Sequence, residues 1–206
     1  IHIVLNNQVG FTTSRREVWL TLDDGPDPSS TPALLALLAR HDAKATFFLI
    51  GKKARAHPEL VSEILRQGHS LGNHSFSHAP YVFWFASARR IAAEIDDGTA
   101  ALQQAGPIRL FRSPVGLKNH ALFPALARRQ MALILWSARG FDSSSEPATA
   151  LARITPDIRP GAIILAHETP ADPARQNALL SGLFTFLEAN GYKCVLPSPA
   201  SFVRET

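Results

Sequence analysis

Two short segments combine acidic and histidine side chains at spacings that suit metal chemistry. The first is Asp23-Asp24-Gly25-Pro26-Asp27, where two adjacent carboxylates precede a Gly-Pro turn. If a strand ends there, the two side chains point different ways, so that one can bind a metal ion while its neighbour accepts a proton. The same string is also typical of a turn that caps the next helix. The residues alone leave both interpretations open.

The second segment holds His74 and His78. Histidines four residues apart meet on one face of a helical turn and can present two imidazole nitrogens to one ion, although this spacing also arises by chance. Two imidazoles and one carboxylate leave coordination positions open. Such a set suits zinc in a catalytic role, with cobalt, nickel or iron as other occupants. An ion held there would polarise a carbonyl group and lower the pKa of water.

Hydrolysis also needs a proton acceptor and a proton donor, and three later segments supply candidates. Arg112 offers a guanidinium that can hold a carboxylate by paired hydrogen bonds, on a loop stiffened by Pro114. Trp136 and Asp142 offer an aromatic wall and a further carboxylate. His167 ends an apolar run, where a lone histidine is usually structural.

The remaining histidines and the cysteine are interpreted as structural. His41, His57, His69 and His120 are assigned to helix ends or to the surface. Cys194 lies in an apolar run, which predicts a buried strand thiol, and a single cysteine excludes an internal disulfide.

Short apolar runs alternate with helix-like segments along the chain. The runs that predict strands are 18–22, 45–50, 70–72, 108–111, 131–136, 162–166 and 192–196. The segments with apolar residues three and four apart, which predict helices, are 32–40, 58–67, 86–104, 120–129 and 173–189. This repetition predicts an α/β fold with about seven parallel strands, as an open sheet or a barrel.

The positions of the candidate residues favour the barrel. Asp23, His74, Arg112 and His167 each follow a predicted strand, and Asp142 comes a few residues beyond another. In a barrel the carboxyl ends of all strands converge on one mouth, whereas an open sheet gathers only the residues near its switch point.

Length and composition predict one globular domain over residues 1–206, with 46% hydrophobic and 18% charged residues. No uncharged apolar stretch is long enough to span a membrane. The net charge of +4 is dispersed and no nucleic-acid motif accompanies it, which favours a solvated surface and leaves an anionic envelope polymer or lipid as the alternative. No signal region follows Ile1, and the compartment, bacterial-type cytoplasm or cell envelope, stays open, as does the oligomeric state.

Taken together and in order, the motifs resemble those of the polysaccharide deacetylases, family four of the carbohydrate esterases, which share the NodB homology domain. The matching strings are Asp-Asp-Gly-Pro-Asp, Gly-Asn-His-Ser-Phe-Ser-His, Arg-Ser-Pro-Val-Gly and Leu-Ala-His. The similarity runs from about Val18 to Cys194. It implies a distorted, incomplete (β/α) barrel and a metal-dependent hydrolase that cleaves the linear amide of an N-acetylated amino sugar in a polysaccharide or oligosaccharide.

The resemblance also implies a role for each matching residue near the ion. Asp23 would be the general base, and Arg112 would hold and tune it. Asp24, His74 and His78 would bind one divalent ion, with zinc the first choice.

Further roles follow for the leaving group and the oxyanion. His167 would protonate the departing amine, and Asp142 would orient His167 and raise its pKa. The backbone N–H of Val115 would stabilise the tetrahedral oxyanion, with Pro114 and Trp136 beside the substrate.

Two positions depart from the family pattern. Val115 and Ser143 stand where the family usually has aromatic residues, and Phe83, Trp84 and Phe85 could replace part of that apolar wall or pack in the core. Two alternatives therefore accompany the main hypothesis: a deformylase or deacetylase of a lipid-linked amino sugar, and a non-catalytic carbohydrate-binding protein.

Overall fold

Strands and helices alternate along the chain, as the hydrophobic pattern predicted. The computed structural model describes residues 8–204. Its strands are β1 (Gln8–Phe11), β2 (Glu17–Asp23), β3 (Ala45–Leu49), β4 (Ser70–Asn73), β5 (Leu110–Phe111), β6 (Ala132–Ile134), β7 (Ala138–Arg139), β8 (Ile163–His167), β9 (Lys193–Cys194) and β10 (Phe202–Arg204). Its α-helices are α1 (Thr31–Arg40), α2 (Gly51–Ala56), α3 (Pro58–Arg66), α4 (Val82–Phe85), α5 (Ala88–Ala101), α6 (Leu122–Arg128), α7 (Pro147–Ile154) and α8 (Pro173–Ala189). None of these helices is long and apolar enough to cross a membrane.

All the predicted strands and helices are present, with ends that differ by a few residues. Six elements were not predicted: β1, β7, β10, α2, α4 and α7. Strand β7 has two residues and helix α4 has four, which is too short for a periodic pattern to emerge. Helix α2 has the sequence Gly-Lys-Lys-Ala-Arg-Ala, with alanine as its only apolar residue type, so it carries no apolar stripe.

The strands form one sheet in the order β10-β1-β6-β5-β4-β3-β2-β8-β7, with β9 also paired to β2. Among the described residues every pairing is parallel except that of β10 with β1. The sheet curls into a distorted, incomplete (β/α) barrel, which confirms the predicted fold class. It has more parallel strands than the seven expected, since β1 and β7 extend it at either side.

The side chains of β2 alternate between two apolar layers. Val18, Leu20 and Leu22 pack in the large core between the sheet and the helices. Trp19 belongs to a smaller cluster with residues of β1, β3, β6 and β8, inside the curl of the sheet. Because side chains two apart on a strand share a face, Asp23 continues the Trp19 side and ends at the mouth of the barrel.

Candidate active site

The first motif begins at the last residue of β2, and its two carboxylates point in different directions. Asp23 is the last residue of the strand and pairs in register with His167 at the end of β8. Asp24 has left the strand, with a left-handed φ of 76°. Its carbonyl accepts a hydrogen bond of 2.7 Å from the Lys53 ammonium on α2, a contact that no sequence signal indicated. The two carboxylates can therefore do separate work.

The paired histidines lie in an irregular loop after β4, so the predicted helical turn is wrong. Ser75 and His78 adopt left-handed φ values of 64° and 55°, which no helix contains. These conformations fold the loop back toward Asp24. The Nε2 atoms of His74 and His78 lie 3.4 Å and 3.1 Å from Asp24 Oδ1.

The three side chains fit a single divalent cation. One ligand atom from each of Asp24, His74 and His78 lies within 4.8 Å of the others. Asp24 Oδ1 is buried and accepts no hydrogen bond from any described residue, although both imidazoles are close. The Arg112 carbonyl lies 2.8 Å from His74 Nδ1 and can only accept, so Nδ1 carries the proton and Nε2 offers a lone pair.

The charge state of Asp24 suits the same role. Burial alone would raise its pKa, but the adjacent imidazoles of His74 and His78 outweigh burial and hold the pKa well below its ordinary range. Asp24 is therefore a carboxylate at neutral pH, as a metal ligand must be.

Glu94 on α5 holds the histidine loop in place. Its buried carboxylate accepts hydrogen bonds from the backbone N–H groups of Phe76 and Ser77, at 3.1 Å and 2.8 Å, and from the Ser77 hydroxyl at 2.7 Å. Arg90 pairs with it at 2.8 Å. This role of Glu94 was not predicted, because a single glutamate in a polar helix resembles a solvated side chain.

We expect Glu94→Gln to weaken zinc binding by about tenfold, because the neutral amide loosens the loop that carries both histidines. Competition with a chromophoric chelator measures the zinc Kd of metal-free protein. Glu188→Gln is the matched control, since Glu188 pairs with His41 and lies outside the site. Equal zinc affinities for wild type and Glu94→Gln would show that Glu94 does not position the loop that carries the histidines.

Arg112 anchors Asp23 from within the barrel. The guanidinium is fully buried and donates from Nη1 to Asp23 Oδ1 and to the Thr21 hydroxyl, both at 2.7 Å. The paired hydrogen bonds predicted between Arg112 and one carboxylate are wrong, because Nε and Nη2 donate to the carbonyls of Ile134 and Leu135. Asp23 Oδ2 is left facing His74 Nε2, 3.6 Å away.

His167 and Asp142 form a second charged pair at the mouth. Asp142 accepts from His167 Nδ1 at 2.9 Å and from the His167 backbone N–H at 2.7 Å. Burial would lower the pKa of His167, but the Asp142 hydrogen bond and charge outweigh it and raise the pKa to about 9. His167 is therefore an imidazolium at neutral pH, with Nε2 available as a proton donor.

The arginine-motif loop, residues 112–116, lies beside the Arg112–Asp23 and His167–Asp142 pairs. Val115 is 62% exposed and adopts a left-handed φ of 49°, a strained conformation for a β-branched residue and one that concentrates at functional sites. Pro114 is buried at the start of this turn. A Cβ at Gly116 would lie 2.8 Å from the Trp136 ring, so Trp136 packs directly against the loop. Whether Trp136 also lines a substrate site stays a prediction.

Glu168 is a buried carboxyl group that the sequence analysis did not single out. Its Oε2 accepts hydrogen bonds from the Ser30 and Thr31 hydroxyls at 2.9 Å and 2.6 Å, while its backbone N–H donates to the Asp23 carbonyl. A Cβ at Gly25 would overlap the carboxyl group, which explains the glycine of the first motif. Burial raises the pKa of Glu168 to about 7, against the lowering effect of the two hydroxyls.

We expect Glu168→Gln to change how stability depends on pH. Because the folded-state pKa of about 7 exceeds the ordinary glutamate value of 4.5, the contribution of Glu168 is fully present below the unfolded pKa and is lost as pH rises through 7. Between about pH 5 and pH 8, wild type should lose up to about 3 kcal/mol more of its free energy of unfolding than Glu168→Gln. Urea unfolding measures this difference, and any constant cost of the amide cancels. Parallel pH dependences would contradict the assignment.

The aromatic segment after the second motif divides between core and surface. Phe83 is fully buried and packs against Phe111, which decides for the core alternative at this position. Trp84 and Phe85 are 57% and 76% exposed and stack on each other. Ser143 is exposed and supplies no aromatic surface.

Within residues 8–204, the other histidines and the cysteine lie outside the site. His41 and His57 cap helix ends, and His120 is exposed before α6. His69 follows the end of α3, where its backbone N–H donates to the Ile64 carbonyl, and its buried side chain accepts the Ala45 N–H. Cys194 is a buried thiol on β9, as predicted, and burial raises its pKa to about 12.

The chain is similar in sequence to known proteins. The family model for polysaccharide deacetylases matches residues 11–134. A chitooligosaccharide deacetylase of Sinorhizobium fredii is 34% identical over 161 residues, covering 76% of this chain and 74% of that protein. The chain belongs to the polysaccharide deacetylase family.

Solved structures agree with this assignment. A peptidoglycan N-acetylglucosamine deacetylase superposes with a TM-score of 0.85 at 28% identity, covering 96% of this chain and 94% of the other. A family 4 carbohydrate esterase pseudoenzyme from Bacillus anthracis gives a TM-score of 0.79 at 28% identity and 88% coverage of this chain. The present chain spans 63% of the length of that pseudoenzyme.

Proposed function

We propose that the protein is a metal-dependent hydrolase that removes the N-acetyl group from an amino sugar of a polysaccharide or oligosaccharide. One observation carries the proposal: the Asp23 carboxylate, a cluster of side chains that could hold a cation, and the His167 imidazole lie at the same mouth, at the ends of β2, β4 and β8. The chitooligosaccharide and peptidoglycan deacetylases among its relatives support the substrate class. We further propose that residues 1–206 form one catalytic domain.

Asp24, His74 and His78 are the residues that would hold the ion. One carboxylate and two imidazoles favour zinc, with cobalt, nickel or iron as alternatives. When bound, the ion supplies Lewis acidity for the acyl carbonyl and for the attacking water.

The chain's own residues carry the proton transfers. Asp23 accepts a proton from the attacking water through Oδ2, because Oδ1 is occupied by Arg112. The water oxygen bonds to the acyl carbon and the amide C–N bond breaks. His167 gives its Nε2 proton to the departing amine, and the Asp142 carboxylate stabilises the imidazolium beforehand. The products are acetate and the free amino sugar.

The Val115 backbone N–H is proposed as an oxyanion donor beside Pro114. The strained φ at Val115 is the supporting observation, since it turns this peptide away from helical geometry. A donor of this kind contributes about 3 kcal/mol to transition-state stabilisation. Trp136 supports the loop and walls the substrate.

The proposal is tested by measuring acetate released from N-acetylglucosamine oligomers with added zinc. We expect turnover by wild type and by His57→Ala, a histidine outside the site, and strong loss in His167→Ala. If formate or acetate is released only from a lipid-linked amino sugar, the substrate is that lipid and not a polysaccharide or oligosaccharide. Glycan binding without turnover of any of these compounds by zinc-loaded protein would overturn the enzymatic proposal.

A further inference from the structure

Arg139, three residues before Asp142, contacts two aromatic rings. The guanidinium carbon of Arg139, at the end of β7, lies 4.0 Å from the centroid of the Phe141 ring and 5.4 Å from that of Trp136. Arg139 is exposed, and Phe141 is 46% exposed. Contacts of this kind hold a guanidinium over aromatic faces while its N–H groups point outward in the plane.

The donors of Arg139 have no acceptor within the described part of the chain. Neither a carboxylate nor a carbonyl among residues 8–204 accepts a hydrogen bond from it. Two other arginines near the same rings differ in this respect. Arg112 donates to Asp23 and to carbonyls, and Arg153 donates to Gly140 and Ser145. Arg139 therefore keeps an unbalanced charge and its full set of donors.

The Trp136 ring places Arg139 at the rim of the proposed active site. The guanidinium carbons of Arg112 and Arg139 lie 5.7 Å and 5.4 Å from this ring. The same ring touches the arginine-motif loop at Gly116. Phe141 immediately precedes Asp142, which holds the proposed proton donor. A sugar next to the reacting one would therefore lie within reach of Arg139.

The segment that carries Arg139 is fixed by packing. A Cβ at Gly140 would lie 2.6 Å from the Ala150 carbonyl on α7, so the backbone approaches this helix closely. Phe141 adopts a left-handed φ of 56°, which directs its ring out of the strand path. A donor group on such a segment is preorganised, which lowers the entropic cost of binding.

We propose that Arg139 is a substrate-binding residue that receives an anionic group on the glycan, a carboxylate or a phosphate on the sugar adjoining the one deacetylated. This rests on the proposed function and narrows its substrate class to acidic N-acetylated glycans. The planar fork of a guanidinium matches two oxygens of such a group, and an ammonium does not.

The test compares an N-acetylated oligosaccharide that carries uronic acid carboxylates with its carboxyl-reduced, neutral counterpart. Calorimetry measures the binding of each to zinc-loaded protein, and acetate release gives KM. We expect Arg139→Gln to weaken binding of the acidic oligosaccharide by about tenfold relative to the neutral one. Arg139→Lys should recover only part of this difference. A phosphorylated oligosaccharide decides between the two anions.

Arg128→Gln is the matched control, because it removes the same charge from the end of α6. Equal losses in Arg139→Gln and Arg128→Gln, or equal binding of both oligosaccharides by wild type, would overturn the inference. If wild type deacetylates nothing, the proposed function fails, and the calorimetric comparison still decides the role of Arg139.

Discussion

Replacing Asp23 by asparagine is expected to lower kcat for acetate release by about 10²–10⁴-fold. The amide keeps the shape of the side chain and can still accept the Arg112 hydrogen bond at Oδ1. It cannot take a proton from water at the position of Oδ2. The measurement is acetate release under saturating substrate, together with the zinc Kd.

The zinc affinity of Asp23→Asn should stay close to that of wild type, because Asp24 and not Asp23 completes the ligand set. Asp27→Asn is the control within the same motif, since Asp27 accepts hydrogen bonds from Ser29 outside the ligand cluster. Turnover by Asp23→Asn within a few-fold of wild type would show that another group accepts the proton.

Replacing Asp142 by asparagine is expected to reduce kcat/KM by about 10²–10⁴-fold at neutral pH. The imidazolium of His167 is favoured mainly by the Asp142 carboxylate, which raises the pKa of His167 to about 9. The proton donor is present below this pKa and is lost as pH rises through it. A nearby cation repels the imidazolium, so the alkaline limb of the wild-type profile should lie no higher than about pH 9.

In Asp142→Asn this alkaline limb should move to lower pH, because the amide removes the charge that stabilises the imidazolium. A pH profile of kcat/KM for both proteins measures the shift. Identical alkaline limbs would mean that His167 is not the titrating acid. If Asp142→Asn keeps the wild-type kcat/KM, Asp142 has no role in the mechanism.

The positions of the site residues follow from strand periodicity and from the convergence of parallel strands. Asp23 and His167 are distant in sequence, but both end strands that turn out to be neighbours in register. Local sequence patterns could not predict the backbone conformation of the loop after β4. The left-handed residues Ser75 and His78 have ordinary side chains, so nothing in their types indicated that the pair would meet through an irregular turn.

Contacts between distant segments of the chain could not be predicted from local sequence patterns either. Glu94 and Glu168 act by hydrogen bonds to backbone and hydroxyl groups whose positions depend on the complete fold. Phe83 shares an aromatic run with Trp84 and Phe85, and only its packing against Phe111 decides between the core and the apolar wall. Arg139 is a charged residue on a two-residue strand, and only its contact with two rings distinguishes it.

Membership of the family leaves catalytic competence to be measured, since one structural relative is described as a pseudoenzyme. In the present chain each proposed role has a side chain of suitable chemistry: a carboxylate base at Asp23, an imidazolium at His167 and the ligand set around Asp24.

Zinc titration of metal-free protein, followed by acetate release from N-acetylglucosamine oligomers, is the most direct measurement of the central claim. We expect activity to rise in proportion to added zinc and to reach a plateau at one zinc ion per chain. His78→Ala should show no such activity over the same range of zinc concentrations. Full activity in the presence of a strong chelator, or an unchanged titration in His78→Ala, would contradict it.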